Sequence, residues 1–297
     1  MMTAQTRYYR IADHLIAISA LPHQLDELTN YRPFLSDEIG ENALLSLRVT
    51  DRPIPSAEGW QEVYTDCLEA DMPRIEIYRT DAEWLFRIAP TRDSELACAM
   101  RCTADFSEAD VYLAAGTFRF AVDNAAMLLF AFRTVSCYTL LFHASVTVRN
   151  GVGYLFLGRS GTGKSTHSCQ WMKAFPDAWL LNDDNPVVRL LDDGTVRVYG
   201  SPWSGKTPCY KHADVPVGAL VQLAQAPANS IRRLRMVQAY PYILSSVSGM
   251  KIRPEIMDAL YASIARLLEL TPVYQMDCLP DEEAARICYA AVAPNGE

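Results

Sequence analysis

Gly158-Arg159-Ser160-Gly161-Thr162-Gly163-Lys164-Ser165-Thr166 fits the pattern G-x-x-x-x-G-K-[ST] in full. Residues of these types at this spacing can cradle phosphate. Glycine carries no Cβ, so the backbone can wrap closely around phosphate oxygens and turn through positive φ. Successive N–H groups then point inward, and the N-terminal end of the following helix adds positive potential. Lys164 supplies a mobile point charge for the β- and γ-phosphates, and Ser165 offers a hydroxyl to Mg²⁺. A glycine-rich surface turn is the plainer alternative. The flanks favour phosphate: Val152–Leu157 reads as a buried strand entering the loop, and 166–175 as a helix leaving it, stopped by Pro176.

Downstream, Ala178-Trp179-Leu180-Leu181-Asn182-Asp183-Asp184-Asn185-Pro186 reads as an apolar strand ending in carboxylates. Such a strand sets acids beside the phosphates, where they hold Mg²⁺ or accept a proton. Adjacent residues of a strand point to opposite sides, so one Asp can serve the metal and the other an acceptor hydroxyl. The competing reading is an acidic turn before proline. Gly200-Ser201-Pro202-Trp203-Ser204-Gly205-Lys206 is rich in glycine and hydroxyls; Lys206 neutralises a phosphate there or is a solvated lysine on a tight loop. His143 follows an apolar run, a position that by itself suits a structural histidine.

The elements that must position these groups are legible in part. Ala144–Arg149 and Val152–Leu157 flank Asn150-Gly151, a strong two-residue hairpin signal. The strand feeding the loop therefore has an antiparallel neighbour just upstream, which predicts a mixed sheet rather than a purely parallel one. The segments 187–191 and 195–199 form a further hairpin, 215–223 an apolar strand, and 257–270 and 281–291 closing helices, the last starting at Pro280-Asp281. Asp123 reads as the N-cap of a helix running to about Cys137. Before it, alternation at Leu45/Leu47/Val49, Ile75/Ile77 and Trp84/Phe86/Ile88 predicts a small antiparallel sheet, a scaffold or oligomerisation module or else a substrate-recruiting one.

With 297 residues, half of them hydrophobic and 21 % charged, the chain has the composition of a globular protein of one large or two ordinary domains. A formal net charge of −8 leaves no basic footprint for nucleic acid. Arg232-Arg233-Leu234-Arg235 reads as a solvated face or a dock for an acidic partner. Eight cysteines without a C-x-x-C motif read mostly as buried thiols in a reducing compartment. The N-terminus has no apolar signal core, and the greasy run 125–142, broken by Arg133 and Ser136, reads as too short and too polar to span a bilayer. The expectation is a cytoplasmic protein with no membrane partner.

From His143 to Pro186 the chain resembles the HPr serine kinase/phosphorylase family, whose catalytic domain has the phosphoenolpyruvate-carboxykinase-like P-loop fold. His143 at the start of a hairpin, the Asn150-Gly151 turn, the loop from Gly158 to Ser165 and the strand ending in Asp183-Asp184 come in that family's order. Thr166-His167 stands where the family has Glu, and Tyr199 to Lys206 occupies the region of its Glu-Ile-Arg-Gly core, so the chain reads as a divergent branch with its own acceptor. The resemblance implies an α/β fold for the second part, a mixed-sheet P-loop kinase domain over 121–297; the alternation noted above places a smaller, mainly antiparallel β domain before it, over 1–120. It implies transfer from ATP, with Mg²⁺, to a serine hydroxyl of a protein, peptide or small molecule, by a chain that forms homo-oligomers. Asp183 would be the general base, Ser165 and Asp184 would serve the metal, Lys164 would hold the phosphates and His143 would lie near the reacting phosphate. Residues 158–166 and Lys206 would contact the nucleotide. Two competing readings are a non-catalytic nucleotide sensor and carboxykinase-like chemistry using Arg232, Arg233 and Arg235.

Overall fold

The computed structural model describes residues 3–38, 40, 42–66, 73–205, 207–249 and 254–293. The chain divides between a unit that runs to Arg133 and also takes in Pro254, and a second comprising Thr134–Gly249 and resuming at Glu255. The division falls beyond the expected 120/121 boundary, for a reason that lies in the helix preceding it.

In the first unit the elements run β1 (Gln5–Ile11), β2 (His14–Ala20), α1 (Pro22–Glu27), β3 (Leu45–Thr50), β4 (Gln61–Asp66), β5 (Arg74–Arg79), β6 (Glu83–Ala89), β7 (Cys98–Thr103), β8 (Glu108–Leu113) and α2 (Phe118–Thr134). Among the described residues the strands form one eight-stranded sheet, ordered β1-β2-β3-β8-β7-β6-β5-β4. The expectation of a small antiparallel sheet is corrected, because β3 runs parallel to both β2 and β8. The stretch between β2 and β3, which includes α1, is long enough for the crossover that a parallel pair requires. Asp123 caps nothing: α2 begins at Phe118, and the Asp123 carboxylate accepts from Asn30 Nδ2 at 2.9 Å. Helix α2 belongs to this unit because its side chains pack there. Phe132 meets Phe86 and Phe106, Phe130 meets His14, and Arg133 Nε donates to the Leu44 carbonyl. By length and composition alone Phe118–Cys137 is long and apolar enough to cross a bilayer, a test that a buried core helix passes equally, and 56 % of its most apolar window is buried here.

The second unit continues with β9 (Thr139–Phe142), β10 (Ala144–Arg149), β11 (Val152–Leu157), α3 (Lys164–Ala174), β12 (Trp179–Asp184), β13 (Val187–Leu190), β14 (Val196–Tyr199), β15 (Asp214–Gln225), β16 (Ser230–Arg233), α4 (Met236–Ser246), β17 (Val247–Ser248), α5 (Pro254–Leu270), β18 (Val273–Cys278) and α6 (Glu282–Val292). Asn150 and Gly151 both take positive φ, 50° and 72°, as the two-residue turn joining β10 to β11 demands. The sheet is mixed as the hairpin predicted: β10 lies antiparallel to β11 and β12, while β15 runs parallel to β11 and β18.

Both faces of this sheet are covered, so its central strands are apolar on each side. On β11, Tyr154 and Phe156 join a core with Trp171 of α3 and Ala284, Ala285 and Cys288 of α6. Leu155 and Leu157 point the other way, into a core with Ile243 of α4 and Leu260, Ile264 and Leu267 of α5. This period-2 alternation fixes the register of β11 and hence the point where the chain leaves the sheet. Helix α3 buries Lys164, His167, Ser168, Trp171 and Ala174, the stripe expected of one helical face. Asp281 caps α6, accepting from Ala284 N at 2.8 Å.

Two glycines are set by opposite constraints. At Gly151 a Cβ would meet nothing within 4 Å, so an alanine there suffers only from the left-handed backbone. At Gly200 a Cβ would run into the carbonyl oxygen of Lys211, a backbone atom that cannot step aside. We expect Gly151→Ala to cost about 1 kcal/mol in urea denaturation, and Gly200→Ala to cost clearly more; equal losses would show that the Gly200 approach is not tight.

Candidate functional site

Strand β11 ends at Leu157, and the chain enters α3 at Lys164 after a loop of three positive-φ glycines. Gly158, Gly161 and Gly163 stand at φ 152°, 78° and 106°. The loop closes on itself through Thr162 N, which donates to the Arg159 carbonyl, and Gln225 Nε2 of β15 braces the Gly161 carbonyl at 3.1 Å. Gly163 is the N-cap of α3, with Lys164, Ser165 and Thr166 in its first turn.

Lys164 is only 9 % exposed. Its Nζ donates to the Gly158 carbonyl at 2.9 Å and to His143 Nε2 at 2.8 Å. Burial pushes the ammonium pKa down, against the pull of the Asp184 and Asp183 carboxylates. An ammonium can only donate, so Nε2 of His143 accepts and the ring proton sits on Nδ1. That Nδ1 lies 3.1 Å from Asp184 Oδ1. His143 itself is anchored where β9 gives way to β10, its backbone N–H donating to the Ser246 carbonyl.

The two carboxylates at the end of β12 go different ways. Asp183, 5 % exposed, accepts from Ser165 Oγ at 2.9 Å. Asp184 faces His143, and its Oδ2 accepts from Asn185 Nδ2. The sequence joined Ser165 to Asp184; the fold joins Ser165 to Asp183 and His143 to Asp184. Residue 184 also stands at φ 141°, a region that costs a residue with a Cβ about 1–3 kcal/mol. The strain is held from both sides. Gly205 N donates to the Asp183 carbonyl at 2.7 Å, Asn185 N donates to Asn182 Oδ1, and buried Asn182 is pinned by Ser201 Oγ and the Trp203 carbonyl. Sequence reasoning left 200–206 as an anion-approaching loop or a tight loop; its described residues brace the acidic strand end. Lys206 lies outside the described residues.

Ser165 and Asp183 offer the oxygen donors that Mg²⁺ takes. Among the described residues no group of three or more His, Cys, Asp or Glu could hold a metal ion, so a cation here needs further oxygens from phosphate and water. Two cavities flank the loop. One, of about 720 Å³, is lined by His143, Gly158, Arg159, Ser160, Gly161, Thr162, Gln222, Tyr242 and Ser246 among others. The second, of about 400 Å³, is lined by Gly161, Thr162, Gly163, Thr166, His167, Gln225, Cys278 and Pro280 among others. Arg233 and Arg235 line neither; they rim a separate cavity with Leu268 and Pro272, and Arg232 bonds Gln275 on the sheet edge. Among the described residues the thiols are free, with Cys98, Cys102, Cys209 and Cys288 buried and Cys169 exposed; burial pushes Cys98 up to about 12.

Residues that sequence reasoning missed are Gln225, Asn182, Ser201 and the pair His167–Trp171. His167 is 3 % exposed and its Nε2 accepts from Trp171 Nε1 at 3.1 Å. Their spacing of four on α3 was the available signal. Burial lowers the His167 pKa to about 4.

No protein-family model matches the chain, and no curated protein matches it. Among solved structures it is similar to the Hpr(Ser) kinase/phosphatase from Coxiella burnetii, at 12 % identity and TM-score 0.31 over 51 % of this chain and 95 % of that one.

Two predictions follow from the geometry. Asp184→Gly and Asp184→Ala remove the same carboxylate, but only glycine tolerates the observed φ; in thermal denaturation Asp184→Gly should be the more stable by about 1 kcal/mol, and the reverse order would mean the backbone there is unstrained. His167 is neutral when folded and takes up a proton on unfolding below its ordinary pKa of 6.5. Its contribution is present above pH 6.5 and is lost as pH falls toward 4, by about 3 kcal/mol in all. Urea midpoints measured from pH 7.5 to 4.5 should therefore fall less steeply for His167→Gln than for the natural chain.

Proposed function

We propose that the second unit transfers the γ-phosphoryl group of ATP, with Mg²⁺, to a hydroxyl, and that the acceptor is a serine of a protein, peptide or small molecule. The observation that carries this reading is the convergence of two separate carboxylate pairs on the loop: His143–Asp184, whose imidazole accepts from Lys164, and Ser165–Asp183, whose hydroxyl belongs to the same helical turn as that lysine. A phosphoryl group in flight spreads negative charge over its oxygens, so transfer depends on positioning and on fixed positive charge. The loop amides and Lys164 suit that task. The serine as acceptor class comes from the resemblance of the His143–Pro186 stretch.

In this reading Ser165 and Asp183 hold Mg²⁺, which when bound neutralises charge on the phosphates. His143, backed by Asp184, takes the acceptor's proton at Nε2. Lys164 donates to that nitrogen in this structure. Phosphate oxygens compete for the ammonium, and its departure leaves Nε2 open toward the larger cavity. The assignment departs from what the family resemblance implies: Asp183 takes the metal role and the base becomes His143 backed by Asp184, because the Ser165 hydroxyl bonds Asp183 and not Asp184.

The test is γ-labelled ATP with Mg²⁺, purified protein and host lysate, run beside Asp184→Asn and Asp183→Asn. Asp184→Asn should keep ATP affinity and lose transfer by about 10²–10⁴-fold. Asp183→Asn should raise the Mg²⁺ concentration needed for binding and transfer alike. The opposite pattern returns the base to Asp183. ATP binding without any labelled product from the natural chain supports the nucleotide-sensor reading instead.

A further inference from the structure

We propose that the base and ribose of the nucleotide seat in the 400 Å³ cavity beside α3, between Thr166–His167 and Cys278-Leu279-Pro280; this rests on the nucleotide reading above. The loop separates two cavities that share Gly161, Thr162 and Gln225. The candidate proton acceptor, His143, lines only the larger one. A triphosphate whose terminal group meets His143 runs back along the loop, so its nucleoside end emerges on the opposite flank.

The chemistry of that flank fits. Its walls include Ala226, Leu279 and Pro280, apolar surface of the kind that covers the face of a ring. Leu279 is 38 % exposed, a large apolar side chain left open at the cavity rim. His167 lines the same cavity although it is 3 % exposed. The Trp171 indole only donates, so Nε2 of His167 is its acceptor and the ring proton sits on Nδ1. That Nδ1–H has no acceptor among the described residues. It is matched by a ring nitrogen or carbonyl of a nucleobase. A cavity of this size takes a nucleoside and lies within the ordinary range of ligand sites.

The experiment measures Kd by calorimetry for Mg-ATP and for Mg-tripolyphosphate, which has the phosphates but no nucleoside. The natural chain should bind ATP at least tenfold more tightly than tripolyphosphate. Ala226→Trp, which fills the cavity, and Leu279→Asp, which alters an already exposed side chain, should each erase that margin and leave tripolyphosphate binding unchanged. The tripolyphosphate value reports on the fold of each variant; where Ala226→Trp loses it, Leu279→Asp decides. Unchanged ATP affinity in Leu279→Asp overturns the proposal, as does loss of transfer with ATP affinity intact, which assigns the cavity to the acceptor. If the natural chain binds neither compound, the nucleotide reading itself falls and takes this subsite with it. Binding of both with equal affinity removes the subsite alone.

Discussion

A lysine ammonium taken out of water has to be given partners, and the polar groups around the loop of the second unit meet that need at Lys164. Burial depresses its pKa, so the charge survives only because oxygens and nitrogens stand within reach. The Gly158 carbonyl comes from the loop, the His143 imidazole from the junction of β9 and β10, and the carboxylates from the end of β12. Three separate chain segments are thus committed to one cation. Once Lys164 donates to Nε2, the tautomer of His143 is decided, and Asp184 becomes the acceptor for Nδ1.

The mixed sheet makes this convergence cheap in chain length. The two-residue turn at Asn150-Gly151 returns β11 beside β10, so His143, just before β10, ends up level with the exit of β11. Ala144 faces Leu157 across one edge of β10 and Asp184 across the other. One register therefore aligns histidine, loop and acids. A parallel arrangement needs a crossover for each neighbour and would deliver the histidine from a more distant part of the chain. The alternation of Tyr154 and Phe156 with Leu155 and Leu157 holds that register against slippage, since a shift of one residue would exchange two different cores.

What could be read in advance follows the same division between local and non-local physics. The loop, the Asn-Gly turn, α3 and the strand ending at Asp184 are dictated by residues close in sequence, and each stands where the chain predicted it. Asp123 misled because its carboxylate looks like a cap until Asn30, 93 residues away, is seen to bond it. The first sheet misled for a similar reason: alternation marks strands, but nothing in Leu45 to Thr50 tells that both neighbours run parallel. The partners of the two acids were hidden too. Strand geometry says that Asp183 and Asp184 diverge; only the placement of α3 says which of them Ser165 meets.

The strained backbone at residue 184 ties these themes together. An extended strand would send Asp184 away from Asp183 with ordinary geometry, yet the chain holds it at positive φ and builds a brace to keep it there. That brace consists of buried Asn182 and Ser201 with the Gly205 amide, polar groups whose desolvation is costly unless every bond is made. Strain persists only where surrounding structure over-determines it. Here the surroundings spend two buried side chains to aim one carboxylate at His143. The result is two carboxylates held apart, one toward a hydroxyl in the α3 turn and one toward an imidazole.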